Sequence, residues 1–311
     1  MSRIQQSRNQ RKTPWALIIA LLLILAAEGA FLLLLKPEPP AYIDESEKET
    51  ASSSSAKEKI QEKERYSILL LGIDGEGSRT DAIMLVNFDN SRYRLSLVSI
   101  PRDTLIYRGS EPMKLNALYG TEGCGTDGVR AIADHLRERF GVVICGHILV
   151  ELDGFVSLID ELGGIRYSVP QRMYYFDPAQ NLTIDLQPGE QLLDGKQAMG
   201  LVRYRQYLFG DIDRTVIQQD FLRSAAKQLA GKLSPMNLHD YRRILESSVQ
   251  TDLSFENLTY FASKLLLWDM DAIESATLPG QSKIIQDIDY YKLDEESSVE
   301  ILTKYCATTD K

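Results

Sequence analysis

The residues able to do chemistry gather at the ends of apolar runs. Asp74 closes the run SILLLGI, and GEGSRTD then brings Arg79 and Asp81 to the mouth of the next one. Arg102 and Asp103 follow a third run in SIPRD. Far downstream, LVRYRQYLFGDIDR adds Arg203, Arg205, Asp211, Asp213 and Arg214. Arg203 and Arg205 stand two apart, which in extended backbone turns both side chains to one face. Two guanidiniums so placed can grip one polyanion with planar, bidentate donors. Carboxylates with water hold Mg2+, and Mg2+ with arginines neutralises a pyrophosphate. Phosphoryl transfer then needs positioning, charge neutralisation and a base. Any one Arg–Asp pair here is more often a structural salt bridge; the set as a whole points to a phosphate-handling site.

Other chemistries find less support. Gly72, Gly75 and Gly77 do not match a dinucleotide fingerprint, no GK[ST] follows, and they read as turn formers. There is no GxSxG elbow for a serine hydrolase. His135, His147 and His239 lie outside metal-pair spacing, against a zinc hydrolase. Cys124 and Cys145 can pair or remain thiols, and Cys306 is left over. Tyr174, Tyr175 and Phe176 suit a lipid or sugar site, but core packing or a loop anchor is the expectation. With 44 acidic and 35 basic residues the chain carries −9, against a nucleic-acid binder.

The elements that position these residues follow from hydrophobic pattern. SILLLGI (67–73) is short and almost wholly apolar, the mark of a buried central strand. DAIMLVNFD (81–89) and RLSLVSI (94–100) predict a hairpin around Asn90 and Ser91. Helical periodicity covers 127–140. HILVEL (147–152) reads as a strand, and FVSLIDEL (155–162) as a helix stopped by Gly163 and Gly164. IRYSV and NLTIDL read as strands, 194–202 and 214–231 as helices. The remainder predicts helices over 238–249 and 255–268, a strand near 273–278 and a last helix near 292–304. Strands interleaved with helices predict an α/β fold, a layered sandwich with a central mixed β-sheet flanked by helices. Ligands of such sheets collect beyond the strand ends. One domain is expected over 66–305, with 306–311 a tail.

Three segments precede it. Residues 1–14 hold Arg3, Arg8, Arg11 and Lys12 and no acid, hence +4. Residues 15–35, WALIIALLLILAAEGAFLLLL, carry only Glu28 and span roughly 30 Å as a helix, the thickness of a bilayer core. The apolar run resumes after Ala26, Ala27 and Ala30, so an uncleaved transmembrane anchor is expected in place of a signal peptide. Residues 36–65, serine-rich and of mixed charge, predict a flexible linker. The positive-inside rule puts the N-terminus in the cytoplasm and the rest outside a single-pass cell membrane protein. The external domain then carries −10 and is removed from ATP and the chromosome.

In order, LLLGID (69–74), RTDAIMLV (79–86), SIPRD (99–103), KLNALY (114–119), VELDGFVSLIDELGGI (150–165), LDGKQAMGLVRYR (193–205) and GDIDR (210–214), followed by Gln218, resemble the LytR-CpsA-Psr family of bacterial envelope proteins. TDLSFENL (251–258) and LPG (278–280) resemble its tail. The resemblance implies a phosphotransferase that moves a glycan from a polyprenyl-pyrophosphate carrier to a peptidoglycan hydroxyl, through a phosphodiester. Teichoic acid or capsule-type polymers would so reach the wall, with polyprenyl phosphate released. By position it implies Asp74 and Asp81 as metal-associated aspartates for Mg2+ (or Mn2+). Arg79, Arg102, Arg203, Arg205 and Arg214 match arginines around the pyrophosphate. Asn116 and Gln218 match polar positions beside it. Arg102 is the arginine on which catalysis would depend, and Asp103 or Asp211 would relieve the acceptor hydroxyl of its proton. An apolar tunnel between sheet and helices would hold the prenyl chain.

Two departures stand out. Glu76 and Ile217 occupy positions where the family commonly has arginine. Three further readings remain: an envelope-sensing regulator, a non-catalytic binder of the lipid carrier, and a pyrophosphatase acting on it. Residues 1–14 are too short to fold as a DNA-binding domain, which counts against the first.

Overall fold

The computed structural model describes residues 39–40, 64–73, 77–178, 182–206, 211–232 and 248–308. The expected transmembrane helix at 15–35, nearly all of the linker, Asp74, Glu76 and most of the helix expected over 238–249 lie outside the described residues.

The strands are β1 (Arg65–Ile73), β2 (Thr80–Asp89), β3 (Arg94–Ser99), β4 (Leu105–Arg108), β5 (Glu111–Lys114), β6 (Ile144–Val150), β7 (Ile165–Val169), β8 (Met173–Asp177), β9 (Leu182–Leu186), β10 (Gly189–Leu193), β11 (Val249–Thr251), β12 (Glu274–Thr277), β13 (Gly280–Ile285) and β14 (Ile288–Leu293). The helices are α1 (Leu115–Thr121), α2 (Gly125–Phe140), α3 (Leu152–Glu161), α4 (Gly195–Arg203), α5 (Asp211–Lys232), α6 (Phe255–Leu267) and α7 (Glu295–Tyr305).

Six strands form the central sheet in the order β11-β6-β1-β2-β3-β12. β1 pairs antiparallel with β2 and parallel with β6, so the sheet is mixed. β1 is apolar on both faces because both are covered. Leu69 and Leu71 pack with α2 residues Val129, Ile132 and Leu136 and with Leu302 of α7. Tyr66 and Ile68 face the other layer, with Tyr260 and Phe261 of α6. A third apolar cluster joins the two-stranded pair β7–β10 and the hairpin β8–β9 to Ile159 of α3, Ala198 and Leu201 of α4, and Ile217 and Phe221 of α5. Helix α5 therefore shows apolar residues in two directions and keeps Arg214 and Gln218, one turn apart, for a third.

Local signals account for several boundaries. Asp194 and Gln197 form a reciprocal capping box that starts α4, and Ser254 and Asn257 do the same for α6. Gly163 and Gly164 take φ of 78° and 81°, and Gly164 N–H donates to the Ile159 carbonyl, closing α3 as expected.

The structure also departs from expectation. The segment 280–293 is the hairpin β13–β14, so the last helix begins at Glu295, and residue 249 opens a strand. Residues 105–121 fold as β4, β5 and α1, whose short half-exposed stretches carry no clean period. The tail expected from residue 306 is part of the domain to residue 308: Cys306 and Ala307 are buried, and Ala307 N–H donates to Ser67 Oγ at 2.9 Å. All three cysteines are free thiols. Cys124 packs against one face of the sheet and Cys145 against the other. Tyr174 and Phe176 are exposed on the outer face of β8, against the packing expected of them, and Tyr175 is half-buried.

Candidate functional site

The antiparallel pairing of β1, β2 and β3 brings the end of β1, the start of β2 and the end of β3 to one edge of the sheet. A pocket opens there, lined by Asp81, Ala82, Ile83, Ser99, Ile100, Arg102, Arg214, Thr215 and Gln218. Its location is the crevice beyond strand ends where sheets of this kind take ligands.

Each charged side chain is aimed by local structure. Arg102 sits on a turn after β3 held by backbone bonds in several directions. Thr104 N–H donates to the Pro101 carbonyl at 3.0 Å, Asn116 N–H to the Arg102 carbonyl at 3.0 Å and Tyr291 N–H to the Asp103 carbonyl at 2.8 Å. So α1 and β14 both brace the loop. From it the Arg102 guanidinium donates through Nη1 to Asp81 Oδ1. Arg205 Nη2 reaches the same oxygen at 3.2 Å. Arg214 projects from the first turns of α5 and its Nη2 lies 3.5 Å from the Asp81 carbonyl oxygen. Arg214 is only 2% exposed. A guanidinium so deep must be compensated by nearby anionic or carbonyl groups. Gln218 donates to the Val202 carbonyl at 3.1 Å, tying α5 to the end of α4 just before Arg203 and Arg205.

The site residues named from the sequence thus divide. Asp81, Arg102, Arg214 and Gln218 line the pocket, and Arg205 reaches it through Asp81. Asp103 stands behind Arg102, 3.8 Å from its Nε and 3.2 Å from Lys114 Nζ. Asn116 is buried beneath the loop and braces Arg102 by its backbone. Arg79 is exposed, two residues before Asp81. Arg203 is the last residue of α4, with Nη1 3.8 Å from Met199 Sδ, so it does not share an extended strand with Arg205. Asp74 and the side chain of Asp211 lie outside the described residues. Ile217 points into the third apolar cluster beside Phe221, away from the pocket. Sequence reasoning passed over Ser99, Thr215, Lys114 and Gln219. Ser99 opens SIPRD, Thr215 follows Arg214 and Lys114 opens KLNALY.

Among the described residues no three His, Cys, Asp or Glu side chains cluster as metal ligands. Among the described residues Asp81 is the one carboxylate in the pocket lining. That set fits Mg2+, which takes one or two protein carboxylates when it travels with substrate phosphates.

A family model described as the LytR_cpsA_psr family matches residues 40–306. The chain belongs to that family. Among curated LytR_cpsA_psr relatives, the chain is 29% identical over 248 residues to "Polyisoprenyl-teichoic acid--peptidoglycan teichoic acid transferase TagU" of Oceanobacillus iheyensis, covering 76% of this chain and 73% of that protein. It is 29% identical over 197 residues to "Regulatory protein MsrR" of Staphylococcus aureus, covering 61% of this chain and 57% of that protein. The fold is similar to that of TagV from B. subtilis, with a TM-score of 0.66 at 22% identity over 80% of this chain and 100% of that one. It is also similar to TagT bound to LI-WTA, with a TM-score of 0.64 at 22% identity over 82% and 96%.

Proposed function

We propose that this chain is a membrane-anchored phosphotransferase that moves a glycan phosphate from a polyprenyl-pyrophosphate carrier to peptidoglycan. The observation that carries this is the convergence of Arg102, Arg205 and Arg214 on Asp81 at the mouth of the sheet, in a member of the LytR_cpsA_psr family. The relative named a teichoic acid transferase supports a wall polymer as the cargo. In this reading the acceptor hydroxyl oxygen attacks the phosphorus on the glycan side. The bond from that phosphorus to the bridging oxygen breaks, and polyprenyl phosphate leaves with the bridging oxygen. Arg102, Arg205 and Arg214, joined by Arg79 and Arg203, neutralise the charge that grows on the phosphates. Asn116 and Gln218 hold the Arg102 loop and the head of α5 in place. Asp103, beside Arg102 and Lys114, and Asp211 are the two groups proposed to take the hydroxyl proton. Mg2+ (or Mn2+), when bound, adds charge neutralisation, with Asp81 and Asp74 as its protein ligands. The site faces the outside of the membrane, and nucleic acid is not a partner.

The test is transfer by the full chain in detergent, given a lipid-linked pyrophosphoryl glycan labelled in the sugar together with peptidoglycan. The label should appear on peptidoglycan as polyprenyl phosphate is released. Release with the label left in solution would make the protein a pyrophosphatase. Neither event under any divalent ion would favour a carrier binder or a regulator, the reading that the name of MsrR favours.

A further inference from the structure

Gln219, one residue beyond the pocket-lining Gln218, is 4% exposed and takes no part in the scheme above. Its Nε2 lies 2.7 Å from the Ala276 carbonyl oxygen, 2.8 Å from Ser99 Oγ and 3.3 Å from Thr277 Oγ1. A carbonyl oxygen only accepts, so the amide must turn its NH2 group, and not its oxygen, toward Ala276. One hydrogen goes to Ala276. The other is directed at Ser99 Oγ and shared with Thr277. The Ser99 hydroxyl is therefore an acceptor in this contact, and its own proton must point elsewhere.

Ser99 lines the pocket between β3 and α5, beside Arg102 and Arg214. Among the described residues its hydroxyl donates no hydrogen bond. At 2% exposure, what surface it retains opens on that pocket. A hydroxyl with its lone pair engaged from behind keeps its proton for an acceptor in the pocket, and donors to an anionic oxygen are the stronger hydrogen bonds. We infer that Ser99 is a further phosphate-binding residue of this pocket, with Gln219 as the positioning residue that aims its proton. This rests on the pocket holding a pyrophosphate, as proposed above. Gln219 also ties α5 to β3 and β12, so one amide sets both the donor and the helix that carries Arg214.

The probe is farnesyl pyrophosphate, titrated calorimetrically into the full chain in detergent micelles. Ser99→Ala should bind about tenfold more weakly than wild type with the same melting temperature. Ser99→Thr, which keeps the hydroxyl, should restore most of the affinity. Gln219→Leu should weaken binding too, and adding Ser99→Ala to it should cost little more, because both changes remove one bond. Arg102→Ala serves as the reference for the pocket itself. If Arg102→Ala loses binding while Ser99→Ala stays within about twofold of wild type, the Ser99 assignment is wrong and the pyrophosphate pocket stands. If wild type binds no farnesyl pyrophosphate, both are wrong.

Discussion

Asp81 is the residue on which the reading turns. Its carboxylate occupies the point on which Arg102 and Arg205 converge, as an anionic oxygen of substrate would. Two opposing effects of Asp81→Asn follow. Without metal, the freed guanidiniums should bind inorganic pyrophosphate at least about fivefold more tightly, since a carboxylate no longer competes or repels. In the transfer assay with Mg2+, the same variant should be severely impaired. Calorimetry in chelator beside a transfer assay measures the pair. Thiol chemistry is a separate check on packing. Burial pushes the Cys145 and Cys306 thiols up to about 12, so both should resist iodoacetamide near neutral pH. Mass spectrometry of the alkylated native chain should find the adduct at Cys124. At this scale much was legible: Arg102 and Asp81 stand out because charge interrupts apolar runs at their ends. Gln219 was not, because nothing in its neighbours reveals that β12 will supply it with acceptors 57 residues away.

At the scale of elements, the sheet's edge strand β11 depends on one carboxylate. Asp252 Oδ1 accepts from His147 N at 2.7 Å and from His147 Nδ1 at 3.1 Å. Partial burial pushes the Asp252 carboxyl up, but these His147 contacts outweigh it and hold the group below its ordinary 3.8. A depressed carboxyl stabilises the fold above its unfolded value, and that stability is lost as pH falls from 3.8 through the lowered value. Asp252→Asn should flatten the acid limb of a melting-temperature profile and leave its neutral region lower. Helix α1 makes a second case. A Cβ on Gly120 would fall well inside contact distance of the Ser78 carbonyl oxygen. Gly120→Ala should therefore displace the turn carrying Arg79 and cost about 1–3 kcal/mol by overpacking, read in a denaturant titration. The long apolar strands and capped helices were legible here. The hairpins β4–β5 and β13–β14 were not, since short half-exposed strands show no alternation, yet β14 braces Asp103.

For the whole molecule, sequence separation explains what the eye misses along the chain. Arg205 meets Asp81 across 124 residues, a contact fixed by the path of α4 past the sheet and by no local pattern. The C-terminal segment shows the same logic. Ala307 N–H bonds Ser67, and Arg65 Nη1 donates to the Thr303 carbonyl at 2.8 Å, so the segment 303–307 closes over the central strand β1. Truncation after Tyr305 should lower the melting temperature, against the tail expected from the sequence. In the topology proposed above, the charge separation, +4 ahead of the apolar segment and −10 beyond residue 65, would leave the site outside the cell.

In the proposed site Arg102, Arg205 and Arg214 hold a pyrophosphate beside Asp81. A crystal structure of the protein with a polyprenyl pyrophosphate bound tests it most directly. Density for both phosphates is expected between Arg102 and Arg214, with Arg205 turned onto a phosphate oxygen and the prenyl chain running into the apolar layer. Phosphates bound at another edge of the fold, with the Arg102–Asp81 pair undisturbed, would contradict it.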